Sequence, residues 1–288
     1  MARIPLKNVT GLVKFIMARE RHREAKDRGH KPVRPDPVIS QYRFCNVRRN
    51  DDRVTKWIFA KYLDNWRGNR YLWFALVVAR LFNNEDTLAD IREFVLPFDP
   101  KGMELRLKRR VSKGLKNFNA AYIVSTNGIS MDKVEYVIQR VLGPLWERRD
   151  DLTDATLGGS LAEAHLTLSG EQGLGSFMAA QVLADLKYAF PDMWTDFHTF
   201  AASGPGSRRG LNRIMGHPID APWKEAEFRK VLGDLRDLVN ARLHNMDTLT
   251  AQDVQNCLCE FDKYERARLG EGRPKQLYKP KDNELPWE

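Results

Sequence analysis

Leu168 to Tyr188 reads LSGEQGLGSFMAAQVLADLKY, and the fold turns on how that stretch is parsed. Gly173-Leu174-Gly175 supplies a tight turn, with helix-like apolar periodicity on both sides of it. Two helices joined by a short glycine turn are the natural reading, because glycine reaches backbone conformations that other residues avoid. Such a turn presents backbone N–H groups at the start of the second helix, where the helix dipole favours an anion. The second helix is apolar nearly all round except at Gln181 and Asp185, which lie four apart and so share a face. Polar groups on a buried helix need either internal partners or a function. Both readings stay open at this point.

Working outward, the same periodicity recurs almost everywhere. It predicts helices over Val9–Arg28, Arg70–Phe82, Thr87–Glu93, Met103–Asn117, Met131–Glu147, Leu161–Thr167 and Gly175–Phe190. Gly206–Met215, Lys224–Asn240 and Ala251–Leu269 follow in the last third. NRYLWFALVVARLF, from Asn69 to Phe82, is apolar on nearly every side and predicts a buried helix. Alternating patterns are scarce, and AAYIVST from Ala120 to Thr126 is the one fair strand candidate. The expected fold class is therefore all-α. Composition divides the chain into a basic N-terminal helix and Pro-rich linker (1–40), a helical domain (41–269) and an extended tail (270–288). The first helix is expected to carry Arg19, Arg21, Arg23, Lys26 and Arg28 on its outer face.

Charge narrows the partners. Lys+Arg of 47 against Asp+Glu of 38 leaves a net +9, which suits a polyanion and favours nucleic acid over membrane. No apolar run approaches the roughly 20 residues of a membrane-spanning helix, and no signal peptide is expected, so a cytoplasmic location is the expectation. Cys45, Cys257 and Cys259 make no even disulfide framework and no metal set. Reduced thiols filling the core, without metal or cofactor, are expected. G-x-x-x-x-G-K-[ST] does not occur in the sequence, so nucleotide-dependent phosphoryl transfer by a P-loop is not expected of it.

The hairpin resembles the helix-hairpin-helix of the DNA base-excision glycosylase superfamily. In that superfamily a glycine hairpin grips a phosphate, an apolar helix follows, and a hydrophobic-Asp-x-His segment delivers the essential aspartate. WTDFHTF, from Trp194 to Phe200, places Asp196 in the matching position. Phe177 stands where some members carry a lyase lysine, and their four-cysteine cluster is missing.

Two further blocks sharpen the resemblance. RFCNVRRNDDRVT (Arg43–Thr55) mixes arginine forks with acceptors and an aromatic, and GPGSRRG (Gly204–Gly210) sets glycines beside paired arginines. The glycines there permit close approach of backbone to a ligand or positive φ. With the F-x-A-x-Q-x-x-x-D-L-x-Y block at Phe177–Tyr188, they resemble the α-glutamyl/putrescinyl thymine pyrophosphorylase family. That family includes phage amino acid:DNA transferases and is related to the helical domain of 5-hmdU DNA kinases. The resemblance covers roughly Gln41 to Leu269, with its blocks in family order.

The resemblance implies a glycosylase-like fold acting on 5-hydroxymethyluracil in double-stranded phage DNA. A separate 5-hmdU DNA kinase first phosphorylates the hydroxymethyl. The enzyme then replaces phosphate or pyrophosphate with a free amino acid or other amine, glycine, serine and polyamines all remaining open. The hypermodified base blunts host restriction. Base flipping is the expected entry step. The expected catalytic residues are Asp196 as general base, with His198 sharing or orienting. Arg208, Arg209, Arg49, Gly204 and Gly206 are expected at the leaving phosphate, and Asn46, Gln181, Asp185 and Phe44 at the base. Gly173, Gly175, Arg43 and Arg53 are expected on the DNA backbone. A DNA glycosylase and a non-catalytic DNA-binding module are the rival readings.

Overall fold

The computed structural model describes residues 4–30, 36–119, 124–126, 128–244, 246–274 and 276–278. It falls into two compact units, one built from Met1–Asp51 with His198–Glu288 and the other from Asp52–Phe197. The expected boundaries at residues 40 and 269 both lie inside the first unit.

The first unit opens with α1 (Leu6–Asp27) and α2 (Pro37–Gln41). The second unit holds α3 (Arg53–Trp57), α4 (Leu72–Phe82), α5 (Glu85–Ile91), α6 (Pro100–Ser112) and α7 (Lys133–Tyr136). It continues with α8 (Gly143–Glu147), α9 (Arg149–Thr156), α10 (Leu161–Ser169) and α11 (Gly175–Ala189). The chain then returns to the first unit with α12 (Pro205–Met215), α13 (Glu225–Asn240) and α14 (Ala251–Arg268). Among the described residues there is no strand, only an isolated bridge between Tyr42 and Leu277. The fold class is all-α. The strand candidate at 120–126 lies outside the described residues at 120–123, and 124–126 are not extended into a sheet.

Local chemistry explains where the helices start. Asp52 caps α3 through the Thr55 N–H, Asn84 caps α5 through Thr87, and Asp99 caps α6 just ahead of Pro100. Thr250 and Asp253 form a capping box on α14. The predicted helix from Met131 to Glu147 is a helical run in which α7 widens into π-type turns over Val137–Leu142 before α8.

Each unit has its own core. In the first, Leu12, Phe15 and Ile16 of α1 pack with Leu211 of α12, Phe228 and Leu232 of α13, and Leu258 and Phe261 of α14. In the second, every residue of α4 is buried, as its all-round apolar pattern requires. It packs against α11, where Val182, Leu183 and Leu186 are buried too. One expectation about α1 is overturned: Arg19 is buried, not on the outer face. Its guanidinium donates to the carbonyls of Cys45 and Phe44 and to Asn46 Oδ1, clamping the segment that follows α2. Burial pulls its pKa down against the nearby Cys45 and Glu260. Cys257 fills the core as expected, whereas Cys45 is exposed.

Candidate functional site

The glycine turn joins α10 to α11 as the sequence predicts. Gly173 takes φ +82° and Gly175 φ +54°, conformations that side-chain-bearing residues avoid. Gly173 is also tightly packed, because a Cβ there would come within 2.4 Å of Val141 Cγ2. Gly175 has open space around the same point. Leu166 on α10 and Phe177 on α11 are large apolar side chains exposed beside the turn. His165 Nε2 lies 3.1 Å from the Ser176 carbonyl and ties the two helices together. The start of α11 at the hairpin is exposed, at Gly175, Ser176 and Phe177.

Further along α11, Gln181 is half-buried and Asp185 is fully buried. Asp185 receives a two-pronged salt bridge from Arg80 of α4, with Nε at 2.5 Å and Nη2 at 2.8 Å. The same guanidinium reaches Thr55 Oγ1 at 2.8 Å and Asn83 Oδ1 at 3.0 Å. Asp185, expected at the base, instead anchors α11 to α4. Lys187 is also buried, with its ammonium donating to the Phe197 carbonyl and lying 4.6 Å from the Phe197 ring. It fixes the strand of chain that carries Asp196, and nothing in its sequence surroundings marked it out.

Asp196 is half-buried at the N-terminus of α10. Its carboxylate accepts from the Leu161 N–H at 2.7 Å, the Ala162 N–H at 3.0 Å and the Ser160 hydroxyl at 3.4 Å. Thr195 adds bonds from its N–H and hydroxyl to the Gly159 carbonyl. The aspartate thus caps a helix from a distant segment, where the dipole favours its charge. His198 belongs to the other unit. Its ring is exposed, and its carbonyl accepts from Ala251 N–H and Arg236 Nη1.

The GPGSRRG block starts α12, with Gly204 at the N-cap and Pro205 in the first turn. None of its glycines has positive φ. Gly206 and Gly210 face α14 so closely that a Cβ would lie 2.3 Å from Cys259 Sγ and 2.1 Å from the Leu258 carbonyl oxygen. These two glycines permit helix–helix contact, so at Gly206, expected at the leaving phosphate, the close neighbour is Cys259 of α14. The Gly204 N–H is taken by Ser207 Oγ at 2.9 Å. Arg208 Nε donates to Ser203 Oγ at 2.8 Å, and Ser203 in turn donates to Glu225 Oε2 at 2.5 Å. Burial alone would raise the Glu225 carboxyl, but the Ser203 hydrogen bonds and the Arg229 and Arg208 charges outweigh it and hold it below the usual value. Arg209 bridges buried Asp262 and exposed Asp220.

The RFCNVRRNDDRVT block is a further set of clamps. Phe44, expected to stack on the base, is buried against Phe15 and Tyr264 with Lys263 over its ring. Asn46 accepts from Arg19 and donates to the Asp51 carbonyl, both at 2.6 Å. Arg43 is exposed, Arg49 is half-buried, and Arg53 is exposed in a 2.6 Å ion pair with Glu85. Among the described residues no cluster of His, Cys, Asp or Glu is arranged to hold a metal ion. No helix among them is long and apolar enough to cross a membrane.

Against known proteins, the sequence matches the family described as "5-hmdU DNA kinase, helical domain" over residues 7–273. A 5-hmdU DNA kinase from Bacillus phage SP10 is 28% identical over 212 residues. That alignment takes in 64% of this chain and 32% of the relative, so the chain spans about a third of the relative's length. No solved structure gives a significant match.

Proposed function

The chain belongs to the family of 5-hmdU DNA kinase helical domains, and from that premise we propose that it modifies 5-hydroxymethyluracil in phage DNA. The proposed reaction replaces a phosphate or pyrophosphate on the hydroxymethyl with the nitrogen of an amino acid or other amine. The carrying observation is the family match over residues 7–273, which takes in the Arg43, Phe177 and Gly204 blocks together. The net charge of +9 suits the DNA, and the α10–α11 turn offers backbone N–H groups to its phosphates.

The balance is a substitution at the exocyclic carbon: a C–N bond forms, the C–O bond to the leaving phosphate breaks, and the amine loses a proton. Asp196 is the proposed base for that proton. Arg208 is the proposed partner of the leaving phosphate, since its one carboxylate contact among the described residues, to Glu225, is long at 3.5 Å. Arg209 joins it by exchanging exposed Asp220 for phosphate. Arg43, Arg49 and Arg53 are proposed backbone or phosphate contacts, and Asn46 and Gln181 contacts to the base.

A second reading follows from the 32% coverage of the relative: a helical module that binds hydroxymethyluracil DNA for a kinase. One experiment separates them. The chain is incubated with duplex DNA carrying phosphorylated hydroxymethyluracil and a pool of amines, and the digested nucleosides are weighed by mass spectrometry. An amine-bearing nucleoside supports the transferase. Unchanged nucleosides with salt-dependent binding support the module, and lost bases indicate a glycosylase.

A further inference from the structure

The outer side of α6 takes no part in the proposed chemistry. The helix buries Met103, Leu107 and Arg110, and what it leaves outside is both basic and apolar. Pro100–Ser112 carries five cations, Lys101, Arg106, Lys108, Arg109 and Arg110, against one acid, Glu104. Three of the nine large apolar side chains exposed among the described residues sit on α6 or just after it: Leu105 at 72% exposure, Val111 at 58% and Leu115. A groove of about 500 Å³ lies between α6 and Phe94, with Leu105, Arg106, Lys108, Arg109 and Ser112 in its lining. Gly102 lets Phe94 lie against the helix, since a Cβ there would come within 2.5 Å of the Phe94 ring.

The charges on this side are only partly neutralised by the chain itself. The neighbouring carboxylates are already engaged: Glu93 with Arg106 at 2.9 Å, Glu104 and Glu135 with Lys108 at 2.7 and 2.5 Å, and Asp99 with the Lys101 and Gly102 N–H groups. Among the described residues no aspartate or glutamate lines the groove. Lys101, Arg109 and Lys113 are exposed and make no ion pair among the described residues. Arg109 and Lys113 lie four apart and so are neighbours. These cations suit an anionic partner, and Leu105 suits an apolar one. DNA supplies only the first: its phosphates would leave Leu105 wet. The Phe94 ring is taken by Arg106, 5.4 Å from its centroid, rather than left open for a base to stack. A lipid surface needs a continuous apolar stripe, and here cations interrupt it between Leu105 and Val111. Apolar side chains set beside arginine are the make-up of a protein interface.

We propose that the α6 groove docks an acidic amphipathic helix of a partner protein, with its apolar side chains against Leu105 and Phe94 and its carboxylates on Lys101, Arg109 and Lys113. Such a helix lays its apolar face into a groove through anchors three and four residues apart, which leaves its acidic flank to meet the cations. The docking stands apart from the proposed transfer: it requires neither DNA nor an amine, and transfer by the chain alone requires no partner.

The test is fluorescence anisotropy on the full chain with a labelled synthetic helix bearing leucine along one face and glutamate along the other. Versions with serine for leucine and with glutamine for glutamate are run beside it. A labelled DNA duplex and vesicles of phosphatidylcholine with phosphatidylserine complete the set. The acidic helix should bind saturably, and each altered version should bind more weakly by on the order of tenfold or more. Leu105→Ser and Arg109→Glu, both at exposed positions, should each weaken the acidic helix by on the order of tenfold. Their circular dichroism and their DNA affinity should match those of the unaltered chain. Absence of binding to the unaltered chain, equal binding of the serine version, or unchanged affinity in both folded variants would overturn the proposal. A loss of DNA or vesicle binding in the two variants as large as the loss of the helix would give this face to that ligand and overturn it too. Docking without transfer to DNA would uphold the groove and defeat the transferase, and transfer without docking would do the reverse.

Discussion

The turn between α10 and α11 and the start of α12 look alike in sequence, since both are glycine-rich and both suit an anion. Their construction is opposite. In the turn, Gly173 and Gly175 hold positive φ, Gly175 has open space, and Leu166 and Phe177 project beside it. At α12, glycines four residues apart have ordinary helical geometry and press against Cys259 and Leu258 of α14. The charged groups there hold one another, as Arg208 does through Ser203 and Arg209 through Asp262. Glycine in a turn answers a backbone demand, whereas glycine repeated on one helix face lets a neighbouring helix close in.

Substitutions should separate the two constructions. The largest effect belongs to the helix behind the turn. Asp185→Ala strands Arg80 in the core and should lower stability by about 3–5 kcal/mol in urea denaturation. Gly210→Ala forces a methyl against the Leu258 carbonyl and should cost about 1–3 kcal/mol. At the turn, Gly175→Ala meets no neighbour and should cost only about 1 kcal/mol, from backbone strain alone. A Gly175→Ala loss as large as that of Gly210→Ala would erase the contrast. Asp196→Ala removes a helix cap and should cost about 0.5–2 kcal/mol, a loss that must be measured before any activity change is assigned to proton transfer.

Acid should act at the α12 end. Glu225 has a depressed folded pKa, so its contribution to stability is present above the ordinary value of 4.5 and is lost as pH falls through the folded value. Comparing melting temperatures across that range, Glu225→Gln should flatten the acid-side decline. The smallest effect on stability is expected for Phe177→Ala, within about 0.5 kcal/mol. Its effect should show in DNA affinity instead, measured across a salt series.

Much of the fold was legible in the sequence because its signals are local. The all-round apolar run of α4 and the glycine turn each depend on residues a few positions apart. The site was less legible because its partners are distant in sequence. Asp185 reads as a lone polar residue on an apolar helix until Arg80 is seen beside it. Phe44 looks like a stacking aromatic until Phe15 and Tyr264 cover it. Arg19 looks like one more surface cation until the carbonyls of Phe44 and Cys45 close on it. Gly206 and Gly210 did carry a usable signal, since four-residue spacing places both on one helix face.

The proposed reaction of this chain is the joining of an amine to hydroxymethyluracil in DNA. It is tested most directly with an amino-acid pool labelled with heavy nitrogen, incubated with the chain and phosphorylated hydroxymethyluracil DNA. Digested nucleosides should contain a new species that has lost its phosphate and carries the heavy nitrogen. Nucleosides recovered with phosphate intact and no label, or DNA left with abasic sites, would contradict the account.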